Sequence, residues 1–256
     1  MKAKKSLGQN FLIDNTIIKK IGDSIDANSD DLIIEIGPGM GALTIELKKK
    51  GANIICYEID KDLIPYLNKL IDDKTNIIYE DILKTNIKED IKNINYNRLF
   101  VVGNLPYYIT TSIIKFLINQ NLDIYEMVFM VQDEVADRFT ANPNSKDYSS
   151  ITLYLKYYFN IEKLFKVSKK CFNPIPKVES AIIIFKERIN KIDVDEEKYF
   201  TLINDSFKMK RKTLKNNLSN YNFEKIKNVL NKYNLSENVR AEELSEKVFL
   251  DIYKII

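Results

Sequence analysis

The sequence predicts an α/β fold built on a mainly parallel sheet, followed by a small helical domain. Three observations lead there. Seven short apolar runs alternate with helix-period segments over residues 1–189. Most of these runs are apolar at nearly every position, as in strands covered on both faces. Beyond Lys186, an acidic cluster from Asp193 to Glu197 precedes helical patterns alone, as far as Ile256.

Leu32 to Ile36 is the first run. A glycine-rich turn follows it, then a helix from Ala42 to Lys50, closed by Gly51 with three lysines in its last turn. Asn53 to Tyr57, Asn76 to Tyr79 and Leu99 to Val102 are the next three runs. Thr110 to Asn119 reads as a helix with Thr110 or Thr111 as its N-cap. Met127 to Val131, Thr152 to Tyr158 and Ala181 to Phe185 complete the seven strands. The expected domains are 1–189, α/β, and 190–256, helical.

A chain of 256 residues, 45% hydrophobic, can bury a substantial core. With 39 basic and 36 acidic residues the net charge is only +3, so the distribution of charge must decide any nucleic-acid role. The sequence has no histidine, which excludes a His-dependent triad, a His general base and a His-ligated metal. Two cysteines, Cys56 in an apolar run and Cys171, build neither a disulfide framework nor a zinc site, and no metal is expected. The first lysines lead into no apolar signal core and no run is long enough to span a bilayer. The expected setting is therefore cytoplasmic and away from membranes.

The turn after the first strand, Glu35-Ile36-Gly37-Pro38-Gly39-Met40-Gly41-Ala42, opens a helix. Gly37 and Gly39 allow a tight turn and let a ligand approach the backbone at a helix N-terminus. Alone, this also satisfies a relaxed dinucleotide fingerprint. The later spacing adds more: Glu58 stands 21 positions after Gly37, Asp81 stands 23 after Glu58, and Asn104 stands 23 after Asp81. Each falls where a strand ends, so the four would line one crevice at the carboxyl edge of the sheet. Glu58 is placed to accept hydrogen bonds from two ribose hydroxyls and Asp81 one from an exocyclic adenine amine. The crevice reads as an adenosine site.

Asn104-Leu105-Pro106-Tyr107 resembles the Asn/Asp-Pro-Pro-Tyr/Phe turn of amino-group methyltransferases. The exocyclic nitrogen of adenine is a poor nucleophile because its lone pair is delocalised into the ring. The Asn104 side-chain oxygen and the Leu105 carbonyl would accept its two hydrogens and aim its lone pair at a sulfonium methyl, by positioning rather than by a dedicated base. Pro106 fixes the backbone between them, and Tyr107 offers a ring on which an extruded base can stack.

With these motifs the chain resembles the ribosomal RNA adenine dimethyltransferase family, and most its bacterial small-subunit branch, associated with kasugamycin sensitivity. The likeness runs from end to end. It is carried by Lys5 to Leu12, Glu35 to Thr44, Asn104 to Thr111, Val131-Gln132 with Glu134 to Ala136, Cys171 to Ser180, and Arg240 to Ser245. It implies a Rossmann-like, seven-strand class I methyltransferase domain in 1–189 and an RNA-docking helical domain in 190–256. It also implies S-adenosyl-L-methionine as cofactor, held by Asn10, Leu12, Gly37, Glu58, Asp81 and Asn104, with Tyr107 and Phe172 flanking the target base. The implied substrate is two adjacent adenosines in a hairpin near the 3′ end of small-subunit rRNA, in ribosome biogenesis. Tyr108 and Ser112 depart from the Asn and Pro that many relatives carry.

Two basic segments stand out: Lys2, Lys4 and Lys5 at the start, and Lys208, Lys210, Arg211, Lys212 and Lys215 in the helical domain. The second run suits phosphate contacts from RNA. The expected partner is small-subunit rRNA or its assembly particle, met by a monomer. Three other readings compete. A macrolide-resistance methyltransferase of large-subunit rRNA would share the chemistry but not the ending Arg240 to Ser245. A nicotinamide-dependent oxidoreductase would use the glycine turn but not Asn104 to Tyr107. A non-catalytic RNA-binding assembly factor would have no need of Glu58, Asp81 and Asn104.

Overall fold

The computed structural model describes residues 3–4, 7–189 and 192–256. Lys2, Lys5 and Ser6, named above in the basic arm and the opening motif, lie outside the described residues. The chain falls into two compact units. The first comprises the described residues of Met1–Ala136 with Glu162–Glu187, and the second comprises Asp137–Ile161 with the chain from Arg188 onward. The sequence boundary at 189/190 thus falls close to one of the crossings, but residues 137–161 group with the helical unit rather than with the sheet.

In the first unit, the elements begin with β1 (Phe11–Leu12), α1 (Asn15–Asp23), β2 (Leu32–Ile36), α2 (Ala42–Lys48), β3 (Asn53–Tyr57) and α3 (Ile64–Leu67). They continue through β4 (Thr75–Ile78), α4 (Ile87–Ile91), β5 (Leu99–Asn104), α5 (Thr110–Asn119), β6 (Ile124–Gln132) and α6 (Asp133–Thr140). Next comes α7 (Ser150–Tyr158), which belongs to the second unit, followed by β7 (Phe159–Val167), β8 (Phe172–Asn173) and β9 (Ser180–Glu187). Seven strands form one sheet in the order β4-β3-β2-β5-β6-β9-β7, parallel from β4 to β6 and antiparallel between β6 and β9. Every residue of β2 is buried, as are the first five of β5, which is why these strands read as unbroken apolar runs.

The chain leaves β2 toward β3 and β4 on one side, while β5 and β6 extend the sheet on the other. The carboxyl ends of β2 and β5 therefore flank the switch point, where open α/β sheets bind ligands. The two strands approach closely there. A Cβ on Gly103 would stand 2.5 Å from the Ile36 carbonyl oxygen, so a side chain at this position would force them apart. At the opposite ends of the same strands, Asp31 and Arg98 form a clamp. Arg98 donates from Nε and Nη2 to the two Asp31 oxygens at 3.2 and 2.7 Å, and also from Nη2 to the Asp26 carbonyl.

Several sequence expectations are corrected. Thr152 to Tyr158 is not a strand but lies in α7, whose start is a capping box between Ser149 and Thr152. Thr152, Leu153, Leu155, Tyr157 and Tyr158 are all buried. A helix buried on more than one side has no clear 3.6 period, and its short apolar run imitates a strand. The seventh strand is the next segment, β7, whose polar Asn160, Glu162, Lys163 and Lys166 concealed it at the sheet edge. Neither Thr110 nor Thr111 caps α5. Ile109 occupies that position, and the Thr110 hydroxyl donates to the Pro106 carbonyl at 3.2 Å. The helix after β2 ends at Lys48, two residues early, with Gly51 left-handed at φ +74°.

The second unit adds α8 (Glu196–Ser206), α9 (Leu214–Asn217), α10 (Phe223–Lys232) and α11 (Glu246–Tyr253). Tyr199 is its aromatic centre, with ring centroids 5.9 Å from Tyr157 and 5.7 Å from Tyr253. Lys208, Lys210, Arg211, Lys212 and Lys215 are all exposed. Lys210 donates to the Lys146 carbonyl at 2.6 Å, and Lys215 lies 3.6 Å from Glu237.

Candidate active site

A cavity of about 160 Å³ opens at the carboxyl edge of β2 to β5. Gly37 and Gly39 after β2, Glu58 after β3, Asp81 beyond β4, and Asn104, Leu105, Pro106 and Tyr107 at the end of β5 all line it. Asn10 and Leu12 reach it from the N-terminal segment, which forms a wall of its own. β1 is held there by antiparallel pairing with β8, Phe11 opposite Asn173 and Leu12 opposite Phe172.

Gly37 has φ +70°, and the nearest atom to a Cβ built there is the Asn104 carbonyl oxygen at 3.9 Å. The turn thus keeps its left-handed backbone and leaves room beside it for a ligand. Glu58 is 4% exposed and accepts N–H bonds from Gly39 at 3.1 Å and Asp60 at 2.8 Å. Burial pushes its carboxyl up from the ordinary range, and these backbone donors oppose the rise. Asp81 is half-buried and accepts from Leu83 N–H at 3.1 Å, which fixes the carboxylate at the cavity rim.

The Asn104 amide nitrogen donates to the Asn10 carbonyl at 3.0 Å. That bond joins the N-terminal wall to the end of β5 and sets the rotation of the amide, so its oxygen stays available as an acceptor. The Leu105 N–H is spent on the Met130 carbonyl at 3.2 Å, which holds the turn to β6. The Tyr107 hydroxyl shares a 2.7 Å hydrogen bond with Ser180, pinning the ring, and burial raises its pKa.

Phe172 sits elsewhere. It is 1% exposed, belongs to the hydrophobic core and does not line the cavity. As the register partner of Leu12 it backs the N-terminal wall. The basic run lies in the second unit.

Sequence reasoning missed three participants. Asp60, 1% exposed, accepts from Lys4 Nζ at 2.5 Å and Gln9 Nε2 at 2.6 Å, fastening the N-terminal wall beside Glu58. Its place two residues past Glu58 is the only sequence signal. Ile59 is 49% exposed and lines the cavity, a lone apolar residue between Glu58 and Asp60. Glu35 also lines the cavity and is buried within β2, where only its charge in an apolar run marked it. Among the described residues, no group of three or more His, Cys, Asp or Glu side chains is arranged to hold a metal ion. No helix among them is long and apolar enough to cross a membrane.

A sheet of this order, with an acidic residue after β3 and an Asn-Leu-Pro-Tyr turn ending β5 in one crevice, defines a class I methyltransferase of the amino-group type. The chain belongs to the ribosomal RNA adenine dimethylase family, whose model matches residues 1–256. It is 40% identical over 255 residues to a ribosomal RNA small subunit methyltransferase A of Mycoplasma mobile, covering 99% of this chain and 96% of that one. A protein of the same name from Staphylococcus aureus is 40% identical over 263 residues, covering 98% and 89%. The fold is that of a dimethyladenosine transferase from Plasmodium falciparum, with TM-score 0.78 and 24% identity over 94% of this chain and 95% of that one. It is likewise that of the 23S rRNA methyltransferase ErmE, with TM-score 0.75 and 23% identity over 96% and 98%.

Proposed function

We propose that the crevice binds S-adenosylmethionine and that the protein dimethylates two adjacent adenosines in a hairpin near the 3′ end of small-subunit rRNA, in the cytoplasm, as a step of ribosome biogenesis. The observation that carries this reading is the Asn104 amide, oriented by the Asn10 carbonyl, in the same cavity as Glu58 and Asp81. The donor set fits the cofactor. Glu58 keeps acceptor capacity for ribose hydroxyls beyond its two backbone bonds, Asp81 would accept from the adenine amine, and Ile59 would offer an apolar surface to the ring.

The cofactor supplies an electrophilic methyl on a sulfonium. The Asn104 oxygen and the Leu105 carbonyl accept the two hydrogens of the target amine and hold its lone pair toward that methyl. Tyr107, its ring fixed through Ser180, carries the extruded base, while Phe172 acts from behind Leu12. Small-subunit rRNA is favoured over large-subunit rRNA by the names of the relatives at 40% identity, and by the ending Arg240 to Ser245.

Glu58→Ala is expected to weaken S-adenosylmethionine binding by about 1–3 kcal/mol, through loss of charged hydrogen bonds to the ribose. Calorimetry checks this, and tight binding of NAD in its place would overturn the cofactor assignment. For the substrate, labelled S-adenosylmethionine is offered with unmethylated small-subunit particles or large-subunit rRNA. Label is expected as dimethyladenosine at two adjacent small-subunit positions, where a loop makes base extrusion cheapest. Label confined to large-subunit RNA would sink that assignment and leave the chemistry standing.

The helical unit supplies phosphate contacts through Lys208, Lys210, Arg211, Lys212 and Lys215. Replacing Lys210, Arg211, Lys212 and Lys215 with Gln should weaken RNA binding and flatten its salt dependence. The loss of slope should be about two to three, fewer than the charges removed, because Lys215 already lies beside Glu237. An unaltered slope would make the run an ordinary solvated face.

A further inference from the structure

Glu35 is a buried carboxyl with no cationic partner among the described residues. It is 1% exposed, on the penultimate position of β2, with Cys56 and Val102 as its register partners. One carboxylate oxygen accepts from the Thr44 hydroxyl at 2.6 Å and from the Cys56 thiol at 3.5 Å. Both donors are neutral. The acidic group that acts on it is Glu58, itself buried. Among the described residues no lysine or arginine pairs with either carboxylate, although both line the cavity. Burying a carboxylate without a cation destabilises a fold, and two of them beside one cavity do so further. A proton relieves this in the free protein, and a cation bound in the cavity would relieve it in the complex.

We propose that Glu35, with Glu58 beside it, makes the site charge-selective, favouring a sulfonium cofactor over the neutral thioether left after methyl transfer. The inference rests on S-adenosylmethionine being the cofactor. Substrate and product cofactor carry the same ammonium and carboxylate and differ in one methyl group and one positive charge. The anionic floor therefore holds the form that can react and releases the form that has reacted. Glu35 is a specificity residue here, acting through charge rather than on the transferred methyl.

Proton linkage makes this measurable. Desolvation pushes the Glu35 carboxyl up to about 7, with Glu58 adding to the rise and the Thr44 and Cys56 hydrogen bonds opposing it. Those three side chains, from α2, β3 and the residue after β3, are the groups that act on it. A cation nearby favours the ionised form and lowers that pKa, so cation binding near pH 7 expels the proton that the free protein holds part of the time.

The test is calorimetric titration at pH 7 in buffers of different ionisation enthalpy, with S-adenosylmethionine and with S-adenosylhomocysteine. The native protein should release about 0.3–0.5 proton more with the first ligand than with the second. Glu35→Gln should abolish that difference and reduce the preference for the sulfonium ligand several-fold; the same titrations subtract protons exchanged by the ligand's own amine. Thr44→Val removes a donor to the ionised form and should move maximal proton release to higher pH, which serves if the Gln variant fails to fold. Equal proton counts for both ligands in the native protein, an undiminished difference in the Gln variant, or an unmoved maximum in the Val variant each overturns the inference while leaving the cofactor assignment intact. Failure of S-adenosylmethionine to bind overturns both.

Discussion

Asn104→Ala should lower methyl transfer by about 10²–10³-fold while leaving RNA affinity nearly unchanged. The Asn104 oxygen meets the target amine most strongly when that nitrogen turns pyramidal, so its loss falls on the reaction step more than on binding. Some cofactor affinity should go as well, because the amide nitrogen also holds the Asn10 carbonyl and with it the N-terminal wall. Asn104→Asp separates the two roles. It retains an acceptor for the amine but turns a second oxygen toward the Asn10 carbonyl, so cofactor binding should suffer more than in the alanine variant. Single-turnover rates beside cofactor and RNA titrations check both. Near-native turnover in Asn104→Ala would show that the turn ending β5 is only a turn.

The largest stability effect should come from the other end of the same strands. Arg98→Met keeps much of the stem but removes the guanidinium from Asp31, whose side chain is fully buried. About 3–5 kcal/mol should be lost, because the change strands a buried carboxylate. Asp31→Asn should cost less, since the Arg98 side chain is 26% exposed and regains water. The clamp also predicts a pH response. Although burial raises the Asp31 carboxyl, the Arg98 hydrogen bonds and the Asn28 N–H outweigh it and leave the pKa below the ordinary value. Its contribution is present above the unfolded pKa, near 4, and is lost as pH falls through the lower folded value. Denaturant unfolding of both variants at pH 7 and pH 3 checks the order and the sign. Equal stability of Arg98→Met and the native protein would mean that the clamp contributes nothing.

The parallel half of the sheet and most of the crevice were legible in the sequence for one physical reason. A strand buried on both faces has to be apolar throughout, so a polar residue at its carboxyl end, such as Glu58 or Asn104, stands out against it. The antiparallel edge offered no such contrast. β7 is half-solvated and rich in Lys, whereas the true helix α7 is apolar on several sides, and the two exchanged identities. Phe172 lies in a motif that the family resemblance singled out, yet pairing with Leu12 turns it into the core, and pairing across so long a separation leaves no local trace. Asp60 acts through hydrogen bonds to Lys4 and Gln9, more than fifty residues away, and Glu35 through Thr44 and Cys56 on neighbouring elements, which no spacing rule reveals.

The pairing of β1 with β8 also sets when the pocket can come into being. Phe11 meets Asn173 and Leu12 meets Phe172, so one wall of the crevice waits for a strand near the far end of the sheet domain. During synthesis the glycine turn, Glu58 and Asp81 emerge early, but the N-terminal wall has no strand to pair with until β8 has left the ribosome. Contacts of such long sequence separation form late, because the closure entropy of the intervening chain is lost before they are gained. A nascent chain halted after β6 should therefore lack its finished cofactor site, and the wall around Phe11 and Leu12, translated before the sheet, should be among the last parts to take their place.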